Sequence, residues 1–223
     1  MSDPISTQSG AAIPPDDSAR RLTLANADGP AARHLSVAGG TYTILVSGDQ
    51  TGGRYSLIDM LVPSGGGPPP HRHDFEEMFT ILEGEIELTF RGETHRAGAG
   101  ATVNIPANAP HSFKNMSGQP ARMLCMCTPA GQEEFFMAVG DIVDSRTAPP
   151  PKLSEAERAE RMQRAKSLAA KYRTELLVEG MIRKSETGFP KRSRSIKEMR
   201  SRCDSSDRIM IWRRGAQAGL TKK

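Results

Sequence analysis

At 223 residues the chain is long enough to bury one good core with polar extensions to spare, and its 37% apolar content, 21 Gly and 16 Pro suit a small, turn-rich globular domain. No apolar run approaches the roughly 18 residues of a membrane span, and the first 15 residues lack the basic start and apolar stretch of a secretory signal. The net charge of +4 divides unevenly: residues 1–180 carry 17 Lys/Arg against 22 Asp/Glu, and residues 181–223 carry 13 against 4, so the basic excess says nothing about the partners of the folded part.

Residues 1–35 are rich in Ser, Pro, Asp and Ala, lack sustained periodicity and read as a mostly disordered leader. From about Thr41 the texture changes to short runs rich in β-branched and aromatic residues: Tyr42–Val46, Tyr55–Val62, Glu77–Leu82, Glu85–Phe90, Ala101–Ile105, His111–Asn115 and Ala121–Thr128. Gly, Pro and Asn punctuate them, Glu83-Gly84 and Arg91-Gly92 being hairpin-like breaks. Strand-length runs with turns at this frequency predict an all-β sandwich or barrel over residues 36–145.

After Pro129 the period changes. Gly131–Val139 suits a short helix, and Pro149–Pro151 stops it. Residues 146–180 then read as a linker and an amphipathic helix running from Ser154 to about Leu177. Ser154 and Glu157 fit a capping box, with Glu155 and Glu157 early and Lys166, Lys171 and Arg173 late, as the helix dipole favours. Such a helix is expected to cover the barrel or to make a subunit contact. The basic segment 181–223, with Cys203 and Trp212 but no apolar period, is expected to be a disordered tail. Nucleic-acid contact through that segment is the less favoured reading. Three Cys cannot all pair, and Cys125 and Cys127 are too close in sequence for a staple, so free thiols and a cytoplasmic location are expected.

Four side chains carry the chemistry. His71 and His73 are two apart, so an extended backbone sends both to one face, and Glu77 keeps the same parity. A bend between Asp74 and Glu76 would break that counting. His111 opens another predicted strand just after Pro110. Imidazole nitrogens with a carboxylate oxygen form a borderline-to-hard ligand set that suits Fe(II), Mn(II), Ni(II), Co(II) or Zn(II) and lacks the thiolates of a structural zinc site.

Gly65, His71, His73, Glu77 and Gly84 follow the spacing G-x5-H-x-H-x3-E-x6-G, which resembles the first motif of the cupin superfamily at every fixed position. Gly100, Pro106, Asn108, His111 and Asn115 resemble the second, G-x5-P-x-G-x2-H-x3-N, with Asn108 in place of Gly. Asn is the residue best able to replace Gly in a left-handed turn. The resemblance covers roughly residues 40–130, and the 15 residues between Gly84 and Gly100 resemble the spacing of compact single-domain cupins. It implies a jelly-roll β-barrel with a C-terminal helical extension. It also implies one divalent transition metal ion held by His71, His73, Glu77 and His111.

Within the superfamily the chain looks most like quercetin-dioxygenase-like cupins. That likeness implies a dioxygenase-type oxidoreductase acting on a small chelating phenolic or enolic substrate, with Glu77 as the base that takes a substrate hydroxyl proton. The alternatives are a non-catalytic small-ligand-binding cupin, or a metal-dependent isomerase or lyase drawing an acid/base pair from Tyr42, Tyr55 and Asp59. The family also implies a homodimer. Phe75, Phe79, Phe113, Met60, Ile81 and Ile105 are candidates for an apolar lining, or for ordinary barrel core. Met123, Cys125 and Cys127 share one strand face and read as core rather than ligands. Glu76 is expected to face away from Glu77, solvated or paired. Arg122 reads as an exposed strand-end residue in preference to a binder of an anionic substrate, while His34 and His95 are assigned to the surface.

Overall fold

All seven runs identified above fold as strands, and five further strands join them. The computed structural model describes residues 13–177. In chain order they form β1 (His34–Val37), β2 (Gly40–Val46), α1 (Gly48–Thr51), β3 (Ser56–Val62), β4 (His71–His73), β5 (Glu76–Glu83), β6 (Glu85–Phe90) and β7 (Glu93–Gly98). There follow β8 (Thr102–Ile105), β9 (His111–Lys114), β10 (Ala121–Thr128), α2 (Gln132–Val139), β11 (Asp141–Val143), α3 (Glu155–Ala169), a 3-10 turn (Ala170–Tyr172) and β12 (Thr174–Leu176). The expectations for residues 1–12 of the leader and for the basic segment 181–223 lie outside the described residues. Among the described residues no helix is long and apolar enough to cross a membrane.

The strands make two antiparallel sheets, one of seven strands ordered β11-β1-β2-β3-β10-β5-β8 and one of five ordered β12-β4-β9-β6-β7. Alternation decides what lies between them. On β10, Ala121, Met123, Cys125 and Cys127 are fully buried, while Arg122, Leu124 and Met126 are only partly covered. Glu77, Phe79 and Ile81 on β5 and Ile86 and Leu88 on β6 repeat the pattern. Each large apolar side chain buried this way contributes roughly 1.5–3 kcal/mol. The architecture is therefore an all-β jelly-roll barrel with a C-terminal helix.

Two breaks between strands behave differently. Arg91 and Gly92 close a tight hairpin between β6 and β7, both with positive φ (49° and 84°), as a two-residue turn of that twist requires. Glu83-Gly84 is not a hairpin: β5 and β6 belong to different sheets, and the chain crosses from one to the other there. Gly84 has φ 73°, and a Cβ on it would meet the Pro120 carbonyl at 2.7 Å, so the crossing needs glycine for both conformation and room. Asn108 does adopt the left-handed conformation, at φ 66°.

The C-terminal helix is also shorter than the sequence suggests. Ser154 and Glu157 form the expected capping box, but α3 ends at Ala169. Arg173 turns left-handed at φ 59°, and Thr174–Leu176 leaves the helix to pair with β4. Ladder hydrogen bonds to an otherwise open sheet edge outweigh the local helical preference of this stretch.

Candidate metal centre

The four motif side chains reach one another from both sheets. His71 and His73 lie on β4 and His111 on β9, directly across from His71, all in the five-stranded sheet. Glu77 comes from β5 in the seven-stranded sheet. Between His73 and Glu77 the chain therefore bends and changes sheets, so equal parity along one strand is not what brings them together. The bend is held by backbone contacts: Asn108 N donates to the His73 carbonyl at 2.6 Å, and Asp74 N donates to the Arg173 carbonyl at 3.4 Å. All four side chains are buried, and one donor atom from each lies within 4.8 Å of the others.

Hydrogen bonds fix which ring nitrogens face inward. The Nδ1 atoms of His71, His73 and His111 each lie 2.9 Å from a backbone carbonyl, of Pro69, Phe75 and Ala109 respectively. A carbonyl only accepts, so each Nδ1 carries a proton and donates it, and a ring with no second proton presents an Nε2 lone pair. Carbonyls behind the rings in this way are the usual orienting partners of metal-binding histidines. The His73 and His111 Nε2 atoms stand 3.3 and 3.1 Å from Glu77 Oε2. Two lone-pair donors at that distance repel unless a proton or a cation lies between them. Bonds of about 2.0–2.2 Å to a common ion place neighbouring donors about 3 Å apart, so the cluster is of a kind that can hold a divalent cation.

Electrostatics show what a proton does in the place of a cation. Burial is the largest influence on Glu77 and favours its neutral form, but contacts with His111 and His73 outweigh it and hold the carboxyl below its usual range. Burial, reinforced by His111, pushes the His71 imidazole down to about 3, which keeps it neutral. For His111 burial opposes charge, but the contact with Glu77 prevails and raises it.

The cluster lies beside a cavity of about 460 Å³, lined by His71 and Glu77 together with apolar side chains that include Met60, Phe113, Phe135 and Phe136. Residues of α3, among them Met162 and Ala165, cover it from the C-terminal side, and Arg161 is anchored there by an ion pair with Asp141. Of the six candidates for an apolar lining, Met60 and Phe113 face the cavity. Phe75, Phe79, Ile81 and Ile105 are buried core, Phe75 stacking on the His73 ring at 3.9 Å.

Several other expectations change. His34 is not a surface residue: it is 8% exposed and its Nδ1 lies 2.8 Å from Thr43 Oγ1. His95 is exposed, as expected. Arg122 is not a free strand-end cation, because it binds the carboxylate of buried Asp59 at 2.7 and 3.0 Å. That pairing commits Asp59 elsewhere, and Tyr55 is 39% exposed, so of the three acid/base candidates Tyr42 alone lines the cavity. Burial, with Cys125 and Glu77 nearby, raises the Tyr42 phenol and keeps it protonated. Glu76 does face away from Glu77, accepting from Asn104 Nδ2 and Ala107 N at 3.1 Å each. The sequence reading missed that Cys125 Sγ stands 3.3 Å from Glu77 Oε1. Strand parity put that thiol on the inner face, but nothing local named its partner.

Comparison with known proteins places a cupin domain in the chain. A family model described as "Cupin domain" matches residues 58–127. Over 128 residues the chain is 29% identical to quercetin 2,3-dioxygenase of Bacillus subtilis, covering 57% of this chain and 37% of that protein. It is 33% identical over 84 residues to an uncharacterized protein of Methanocaldococcus jannaschii, covering 37% of this chain and 67% of the relative. Among solved structures, an RmlC-like cupin from Shewanella frigidimarina aligns at 15% identity and a TM-score of 0.42, over 48% of this chain and 91% of that one. The chain thus spans little more than a third of the Bacillus enzyme's length.

Proposed function

The chain belongs to the cupin superfamily, and from that premise we propose that it is a dioxygenase-type oxidoreductase that uses one divalent transition metal ion on a small chelating phenolic or enolic substrate. The observation that carries this reading is the convergence of three imidazoles and the Glu77 carboxylate beside an apolar cavity. A bound ion would supply Lewis acidity and, if redox-active, electron transfer. His71, His73 and His111 would hold it, each ring fixed by its Nδ1–H donating to a carbonyl.

Glu77 lines the cavity, so its carboxylate is placed to hold the ion and to accept a substrate hydroxyl proton. Phe113, Phe135 and Phe136 offer aromatic surface to a planar substrate, and the cavity volume suits one small molecule. A relative named quercetin 2,3-dioxygenase supports oxygen chemistry on a phenolic compound as the class to test first. An isomerase or lyase reading is less favoured, because Tyr42 is the only one of its three acid/base candidates at the cavity.

The test is oxygen uptake by protein loaded separately with Fe(II), Mn(II), Ni(II) or Co(II), against a panel of flavonols and small enols. Metal-dependent oxygen consumption matched by substrate loss is the expected result. Saturable binding of the same compounds without oxygen consumption under any metal would replace this reading with that of a ligand-binding protein.

A further inference from the structure

Glu77 stands between two donor sets of different softness. Its Oε2 faces the imidazoles, while its Oε1 lies 3.3 Å from Cys125 Sγ and 4.0 Å from Cys127 Sγ. The two sulfurs are 3.7 Å apart, and both cysteines are wholly buried and unbonded to any disulfide partner among the described residues. With metal–sulfur bonds of about 2.3 Å, two thiolates in a tetrahedral shell sit about 3.8 Å apart, and a carboxylate oxygen sits about 3.6 Å from each. The observed spacings fall around these values without any movement of the strands.

The rows of the seven-stranded sheet add a second observation. Ser56, Cys127 and Glu77 form one cross-strand row over β3, β10 and β5. Ser56 is fully buried, and its Oγ has no hydrogen-bond partner among the described residues. A buried hydroxyl without a partner is costly. Here it lies in the same row as a thiol and a carboxylate, among apolar neighbours such as Ile58 and Phe79.

We propose that Cys125, Cys127 and Glu77 Oε1 form a second cation site, for a thiophilic ion such as Zn(II) or Cu(I), beside the imidazole centre. Thiolates select soft and borderline ions, whereas the imidazole and carboxylate donors also accept Mn(II), so Mn(II) distinguishes the two sites. Binding replaces the two thiol protons with the cation and releases both protons to solvent. Because one carboxylate serves both sites, a thiophilic ion at the cysteines also fixes the orientation of Glu77 toward the histidines. The site stands independently of the dioxygenase reading.

Cadmium is the probe, added to the full-length Cys203→Ser protein so that Cys125 and Cys127 are the only thiols. The expected result is a thiolate-to-cadmium charge-transfer band, with sulfur neighbours in the cadmium shell by X-ray absorption. The band should disappear in a folded Cys125→Ser/Cys127→Ser variant of the same protein. A sulfur-free cadmium shell in the Cys203→Ser protein would overturn the proposal without recourse to any core variant. So would a band that survives in the double serine variant.

Discussion

The seven-stranded sheet buries polar groups on both its faces, and the two clusters differ in kind. Toward the outside, His34 bonds Thr43 and Asp59 bonds Arg122, with Thr43 and Asp59 paired across β2 and β3. There a guanidinium meets the carboxylate and a hydroxyl meets the imidazole, so that cluster needs no further ion. Toward the inside, Glu77 Oε2 faces the lone-pair sides of His73 and His111, whose protons are already given to backbone carbonyls. Both regions contain a buried histidine and a buried carboxylate. A buried histidine therefore does not mark a site by itself; unmatched acceptors pointed at one another do, because only a proton or a cation resolves them.

The largest effect expected from breaking this contrast is catalytic. If Glu77 is both ligand and base, Glu77→Gln should retain some metal yet lose roughly 10²–10⁴-fold in turnover, with any substrate that supports oxygen uptake. Full activity in metallated Glu77→Gln protein would leave the residue with only a positioning role. On the outer face, Arg122→Met strands the Asp59 carboxylate, which is 1% exposed. Urea unfolding should show a loss of about 1–3 kcal/mol with metal occupancy unchanged. A smaller effect, about 1 kcal/mol by thermal melting, should follow His34→Ala, which removes one buried hydrogen bond. Loss of metal from either outer variant would erase the proposed difference between the faces.

How far the sequence foretold these regions depended on which residues had to speak. The inner set was legible because two spaced motifs name its members, although their convergence depends on a sheet crossing that strand parity does not describe. The outer cluster was invisible: His34, Thr43, Asp59 and Arg122 belong to no motif, and their pairing depends on strand order. The central strands announced themselves by alternating apolar residues. β7 did not, since Glu93–Arg96 is wholly exposed and the strand is held by its hairpin and edge position rather than by a buried stripe. β4 is three residues long and its inward side chains are histidines, which no apolar pattern reports. β12 was hidden inside a stretch with helical preference, and only its partner β4, about a hundred residues earlier in the chain, makes it a strand.

The central claim is that the inner cluster is completed by a cation, and titration of the metal-stripped full-length protein with Mn(II) tests it most directly. Mn(II) suits imidazole and carboxylate donors better than thiols, so it should report this centre and not the cysteines. The account predicts uptake of about one ion per chain. It also predicts a rise in melting temperature, since an ion held in hundredfold excess over its Kd adds about 2.7 kcal/mol. Both effects should be absent in His111→Ala. No uptake of Mn(II), and an unchanged melting temperature with Fe(II), Ni(II), Co(II) and Zn(II) as well, would contradict it.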